Sequence, residues 1–299
     1  MKSKICISLL LLSQMGFAQK FESYLSDYLG KNGQGYLQPL ADLTISGLNT
    51  GLQSSIKIED RFYVRLNLNA LQIMPHASQR TFMGETEGKN PVKQEAPTIV
   101  GDNHNVRVNN ADGTRYVFSG GYNLGSLRWG VPQISIGGIK GSEISARFMT
   151  FGTKNDFGEF QQIGVGVRHS LSQYFIKKTS PFALNLGYQF NQSDIGNYMK
   201  LQSHYAYLQA GATTKNIGFF AYGGYQTGKF DIFYTYTESQ KSEKVEVNLK
   251  NQYPILAGVG THIQLGFFSL TLGASGPKPL VLFGNLGFRF MSKSKQTKP

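Results

Sequence analysis

His76-Ala77-Ser78 is the one place in this 299-residue chain where a histidine and a serine stand two positions apart. On a strand that spacing puts both side chains on one face, so the imidazole could take the hydroxyl proton and arm the serine as a nucleophile. The pair follows Pro75 at the end of an alternating segment, with no Asn-Gly or acidic element beside it to orient the ring. A rim loop accounts for it better than an ester hydrolase does. His169 lies one residue from Ser170 and three from Ser172, and odd separations send a serine to the opposite face of a strand. Metal chemistry fares no better: the five histidines include no His-x-His or His-x₃-His pair, and Asp102-Asn103-His104-Asn105 lacks the glycine and distal glutamate of a calcium loop. The run GGYNLGS, Gly120 to Ser126, opens no helix and so makes no nucleotide cradle. No catalytic residue, metal or cofactor is assigned.

The informative set is basic and amidic. Arg61, Tyr63, Arg65, Asn67, Arg168 and Gln189 fall on the polar side of alternating segments. Arginine grips carboxylates through paired N–H bonds, so these six residues could line a selective passage or hold an anionic head group. The competing use is a salt-bridge and hydrogen-bond web with Glu59 or Glu143 that fills the interior of a closed sheet.

What must position them is a series of long strands. In PFALNLGYQFNQ, residues 181–192, Phe182, Leu184, Leu186, Tyr188 and Phe190 alternate with Ala183, Asn185, Gly187, Gln189 and Asn191, giving one oily and one small or polar face. From Ile45 the period of two predicts a hairpin, with one strand to Glu59, a turn at Asp60, and a second strand over 61–70. Residues 75–130 interrupt the pattern with polar sequence that includes a small hairpin around Asn110-Ala111-Asp112-Gly113. Alternation then resumes, with a turn at Lys140-Gly141, through to PLVLFGNLGFRF. About 12 strands result, with 10 to 14 allowed, and their length exceeds the five or six residues of most globular strands. Up-and-down strands without helices leave raw edges unless the sheet closes, and lipid demands closure. The reading is all-β: a transmembrane antiparallel up-and-down barrel, its oily face toward lipid and its Asn/Gln/Gly face toward a lumen, with aromatic girdles at Tyr174, Phe175, Phe267 and Phe268. A soluble β-sandwich is the alternative.

The ends and the composition agree. Lys2 and Lys4 precede an apolar run from Ile5 to Leu12, and Gly16 and Ala18 suit cleavage, so residues 1–18 read as a signal peptide. Cys6 lies within it, which excludes a disulfide scaffold for the exported chain. The formal charge of +12 falls to +10 without Lys2 and Lys4, and the basic residues are scattered, which argues against nucleic acid. Phe21, Tyr24, Leu25 and Tyr28 predict a short helix ending at Gly30. The expected organisation is therefore a signal at 1–18, a helical plug-like segment at 19–45, a barrel over 46–290 with an excursion at 75–130, and a basic tail at 291–299.

The segments YLQPLADLTISGLNTG, APTIVG, VPQISIGGIKGSEISARF and GVGVRHSLSQYF resemble an uncharacterised family of exported proteins of Bacteroidota-type bacteria, a domain of unknown function. The final Phe-Arg-Phe is similar to the C-terminal signal of outer-membrane barrels, although MSKSKQTKP follows it. The general pattern also resembles FadL-type long-chain fatty-acid transporters, which implies a monomeric outer-membrane barrel plugged by its N-terminus and handling hydrophobic or amphipathic molecules. The Asn-Pro-Ala element of those transporters is missing, so no hatch residue carries over. The partners expected are outer-membrane lipids, a hydrophobic small-molecule ligand and, on the alternative reading of an accessory barrel, a secretion or surface-assembly complex.

Overall fold

The computed structural model describes residues 30–292 except 88–89, 111, 153–158, 178 and 239–240. The expected signal at 1–18, the helix over 21–28 and the tail beyond Ser292 lie outside the described residues.

The described chain opens with helix α1 (Gly30–Leu48), continues without regular structure to Phe62, and enters β1 (Tyr63–Met74). An excursion follows, comprising a 3-10 turn at Ala77–Gln79 and two small hairpins, β2 (Thr81–Glu85) with β3 (Lys93–Pro97) and β4 (Val106–Asn109) with β5 (Arg115–Phe118). Next come β6 (Leu127–Ile139), β7 (Ser142–Gly152), β8 (Glu159–Ser170), β9 (Phe182–Ile195), β10 (Met199–Thr213), β11 (Ile217–Glu238), β12 (Lys241–Lys250), β13 (Ile255–Leu265), β14 (Phe268–Gly276) and β15 (Leu280–Met291). Ten of these, β1, β6 to β11 and β13 to β15, pair antiparallel in a closed ring. The seam is β1 with β15, where Tyr63 faces Met291 and Met74 faces Leu280. The outer half of β11 projects past the ring and carries β12 as an eleventh strand.

The two ends of the barrel differ. At one, β1 begins and β15 stops, and the connections are short turns such as Lys140-Gly141 and 214–216, except for the longer link over 171–181. At the other stand the excursion and the β11–β12 ribbon. We call these the termini end and the loop end.

The alternation sorts as expected on much of the ring, but β10 and β11 turn Leu201, Tyr205, Tyr207, Phe220 and Phe230 inward and leave Lys200 and Gln202 exposed. Leu68, Ile144, Val167, Leu186, Phe219, Val259 and Phe290 are all at least 45% exposed on the outer face, whereas Asn69, Arg168, Asn185, Gln189 and Asn285 are buried on the inner one. Tyr174, Phe175 and Phe267 are exposed at the termini end, in the place expected of a girdle.

Three readings need correction. The strand from Ile45 to Glu59 does not form: α1 runs to Leu48, and the chain then passes through the interior to Ile58 and emerges at the rim before β1 starts at Tyr63. Its alternation is real, but both sides of the chain meet wall, since Leu48, Leu52 and Ile56 are buried and so are Asn49, Gln53 and Ser55. The ring holds ten strands, at the lower end of the expected 10 to 14, because 45–59 is not a strand and NIGFFAYGGYQTG and KFDIFYTYTES are one 22-residue strand. The N-terminal helix expected to end at Gly30 instead runs from Gly30 to Leu48, although it holds Gly33, Gly35, Gly47 and Pro39, residues that weaken an isolated helix. Burial on all sides offsets that: Tyr36, Leu37, Ala41, Leu43, Ile45 and Leu48 are each at most 1% exposed. Gly47 permits the fit, because a β-carbon there would lie 2.4 Å from the Trp129 ring.

Candidate functional site

Strand pairing consumes the backbone groups of the wall, so an extended chain inside the ring has no free edge to pair with. Its carbonyls accept instead from inward-facing side chains. Arg147 of β7 donates through one terminal nitrogen to Leu48 O at 3.3 Å and Thr50 O at 3.1 Å. Gln189 of β9 donates to Asn49 O at 2.7 Å, and Asn185 of the same strand to Ile56 O at 2.7 Å. Thr271 of β14 donates to Ser54 O at 2.7 Å. Ser55 O accepts from Arg168 of β8 and from Gln209 of β10. Five strands thus hold six carbonyls of one short stretch. The Asn49 side chain adds a knot, donating to Gln226 Oε1 at 3.1 Å while its own oxygen accepts from Asn191 at 3.1 Å and Ser203 at 3.0 Å.

Beneath this lies a charged centre. Arg168 donates to Glu143 Oε1 at 2.8 Å, Arg65 stands 3.5 Å from Glu143 Oε2, and the Tyr63 hydroxyl donates to that same Oε2. Arg65 also lies over the Tyr63 ring, 5.2 Å from its centre, and donates to Ser54 Oγ at 2.6 Å. Arg147 is 1% exposed and has no carboxylate partner among the described residues; it sits where α1 ends, and the carbonyls there carry the negative pole of the helix. Towards the termini end, Arg289 pairs with Glu59 at 2.7 Å.

Of the six residues singled out from sequence, Tyr63, Arg65, Asn67, Arg168 and Gln189 are buried on the inner face, and four of them take part in this web or hold the inner chain. Arg61 departs from the set. It precedes the first paired residue and is exposed at the rim, because the parity that orients side chains holds only within the paired strand. Arg147 was missed, although its place four residues after Glu143 on one alternating strand put it on the same inner face.

The serine–histidine candidates resolve as structure. His76 caps the turn at 77–79: its Nδ1 accepts from the Ser78 backbone N–H at 3.2 Å and stands 2.9 Å from Ser78 Oγ, while the His76 N–H donates to the Gln79 side chain at 2.9 Å. A second pair joins β7 to β8, with Ser142 Oγ 2.8 Å from His169 Nδ1. The other ring nitrogen, Nε2, stands 2.8 Å from the Gln173 amide nitrogen and 2.9 Å from the Tyr174 hydroxyl, so the ring is tied on both sides at the strand ends.

A closed ten-stranded antiparallel barrel with an apolar outside, and an inside filled by its own N-terminal segment, defines the class of this protein. Residues 1–276 match the family of unknown function DUF6588, and the chain belongs to that family. No curated protein matches it. Among solved structures it is similar to the outer membrane protease OmpT of Escherichia coli, at 8% identity over 80% of this chain and 100% of that one, with a TM-score of 0.35. It is also similar to the toluene transporter TodX of Pseudomonas putida, at 7% over 82% and 91% with a TM-score of 0.28. A FadL homologue of Pseudomonas aeruginosa is likewise similar, at 8% over 88% and 94% with a TM-score of 0.25.

Proposed function

We propose that this is a barrel of the Gram-negative outer membrane, delivered after cleavage of residues 1–18, in which residues 30–58 serve as a plug. On this reading it binds or passes small amphipathic molecules when the plug yields. The exposed outer faces of ten strands form a continuous apolar surface that a soluble monomer could not carry, and closure leaves no edge for lipid to meet. Both strand termini lie at one end, as on the periplasmic side of such barrels, and on this reading the excursion and ribbon face outward.

One observation carries the reading of the ligand: the interior vacated by the plug has two zones. Around α1 the wall is apolar and aromatic, with Leu71, Ile73, Leu201, Tyr205, Phe230 and Phe283. Around residues 49–58 it is amidic and cationic, with Arg65, Arg147 and Arg168 against Glu143, the one buried acid there among the described residues. An acyl or aromatic tail suits the first zone and a carboxylate the second, where Tyr63, Asn67 and Gln189 add polar contacts. The test is conductance in planar bilayers. Removing α1 alone leaves Asn49–Ile58 threaded through the wall, so the deletion must span 30–58. It is expected to open a steady conductance that the complete chain lacks, and equal conductance of the two would count against a plug.

A second reading is favoured by the excursion and the β11–β12 ribbon, which build one end of the molecule outside the ring. On it the barrel is an accessory that docks a secretion or surface-assembly complex. Pull-down from detergent extracts should then recover a stoichiometric partner that is lost when 81–118 is replaced by a short turn.

A further inference from the structure

The termini end of the lumen holds a cavity of about 440 Å³, bounded by Ser55, Lys57 and Glu59 of the inner chain and by the wall at 179–181, 213–216, His262 and Arg289. Its charge is one-sided. Lys57, Lys215 and Arg289 face it, and Glu59, the carboxylate among its described lining residues, is already held by Arg289 at 2.7 Å. The Arg289 Nε–H is buried without a partner among the described residues, and both lysines are exposed with no ion pair there. Hydroxyls of Thr179, Ser180 and Thr214 complete the wall.

An apolar guest gains little against such a lining, whereas a phosphate finds two ammonium groups, a guanidinium N–H and hydroxyls lining one volume. The volume falls in the range of small-molecule sites, about 300–1,000 Å³. We infer that this cavity binds a small hydrophilic anion, a phosphate group on a hydroxylated body of sugar-phosphate size, held between the inner chain and the wall. The site belongs to the folded barrel with its lumen filled and does not depend on the lumen ever opening.

The test is calorimetric titration of the full chain, refolded in an uncharged detergent, with glucose 6-phosphate at low ionic strength and glucose as the uncharged control. One saturable site is expected for the phosphate and none for glucose. Lys57→Gln with Lys215→Gln, both at exposed positions, should weaken binding at least about tenfold. Arg61→Gln removes a cation from the same rim outside the cavity and should change it less than about twofold. No saturable phosphate binding, or an equal loss with Arg61→Gln, overturns the site. A second arm separates a soluble solute from a lipid head group, by repeating the titration in phosphatidylcholine nanodiscs with and without phosphatidylglycerol. Unchanged affinity supports a soluble occupant. Competition that the double lysine variant abolishes supports a lipid phosphate in the same cavity, and competition that persists in that variant overturns the assignment.

Discussion

Helix α1 and the stretch from Asn49 to Ile58 are continuous in sequence and share one lumen, yet the wall holds them by opposite means. The helix satisfies its own backbone, so the wall around it can be apolar, and Leu37, Leu43, Ile45 and Leu48 pack against Leu71, Ile73, Tyr205 and Phe230 in one cluster. The extended stretch has no internal ladder, and the wall around it must supply donors. Arg147, Arg168, Asn185, Gln189 and Thr271 do so. A polar inner face in a barrel is therefore not by itself the mark of a water-filled pore. It is also what an inserted strand without partners requires.

The comparison can be broken most severely at the charged centre. Glu143→Gln would leave Arg65 and Arg168 buried without their shared carboxylate, and should cost about 3–5 kcal/mol in urea unfolding followed by gel mobility. On the helix side, Leu43→Ala removes a fully buried side chain and should cost about 2–5 kcal/mol by the cavity it leaves. Unlike the first variant, it should leave the hydrogen bonds to 49–56 in place, which protease resistance of that stretch would report.

Asp42 sharpens the contrast through pH. It lies on α1 at the loop end, where it accepts from the Gln252 N–H at 2.8 Å and from Gln38 at 3.2 Å. Burial raises its carboxyl from 3.8 to about 6, against the pull of those donors. The folded chain therefore binds this proton more tightly than the unfolded one. The contribution of Asp42 is most favourable below pH 3.8 and is lost as pH rises to about 6, at an order of about 2–3 kcal/mol. Asp42→Asn keeps an acceptor and does not titrate, so the fall in stability between pH 4 and 7 should shrink by about that amount. The smallest effect expected is Gln189→Leu, which orphans one buried carbonyl at Asn49 and should cost about 1–3 kcal/mol. If it costs nothing, the wall-to-carbonyl bonds are incidental.

Much of the wall was legible because period-two alternation has one meaning when lipid or air-dry packing lies on one side and polar groups on the other. Phe182 to Phe190, the last strand, the Lys140-Gly141 turn and the inward Tyr63, Arg65, Asn67, Arg168 and Gln189 all follow from it. The same alternation misled at 45–59, since a chain surrounded by wall is buried on both sides and nothing local separates it from a paired strand. The run of helix α1 to Leu48 was hidden for a related reason: its glycines and proline argue against a helix, and the enclosure that stabilises it is built by strands far along the chain. Arg61 shows the limit at a strand end, where parity continues in the sequence but pairing does not.

The claim that residues 49–58 thread the ring can be tested at one contact. Thr50 Oγ1 and Ser275 Oγ lie 2.9 Å apart across the lumen wall. With Cys6→Ser removing the native thiol, the paired changes Thr50→Cys and Ser275→Cys should form a disulfide in the folded barrel, and neither thiol should react with a maleimide before reduction. Two free thiols that label readily in the folded protein would place the segment outside the lumen and contradict the account.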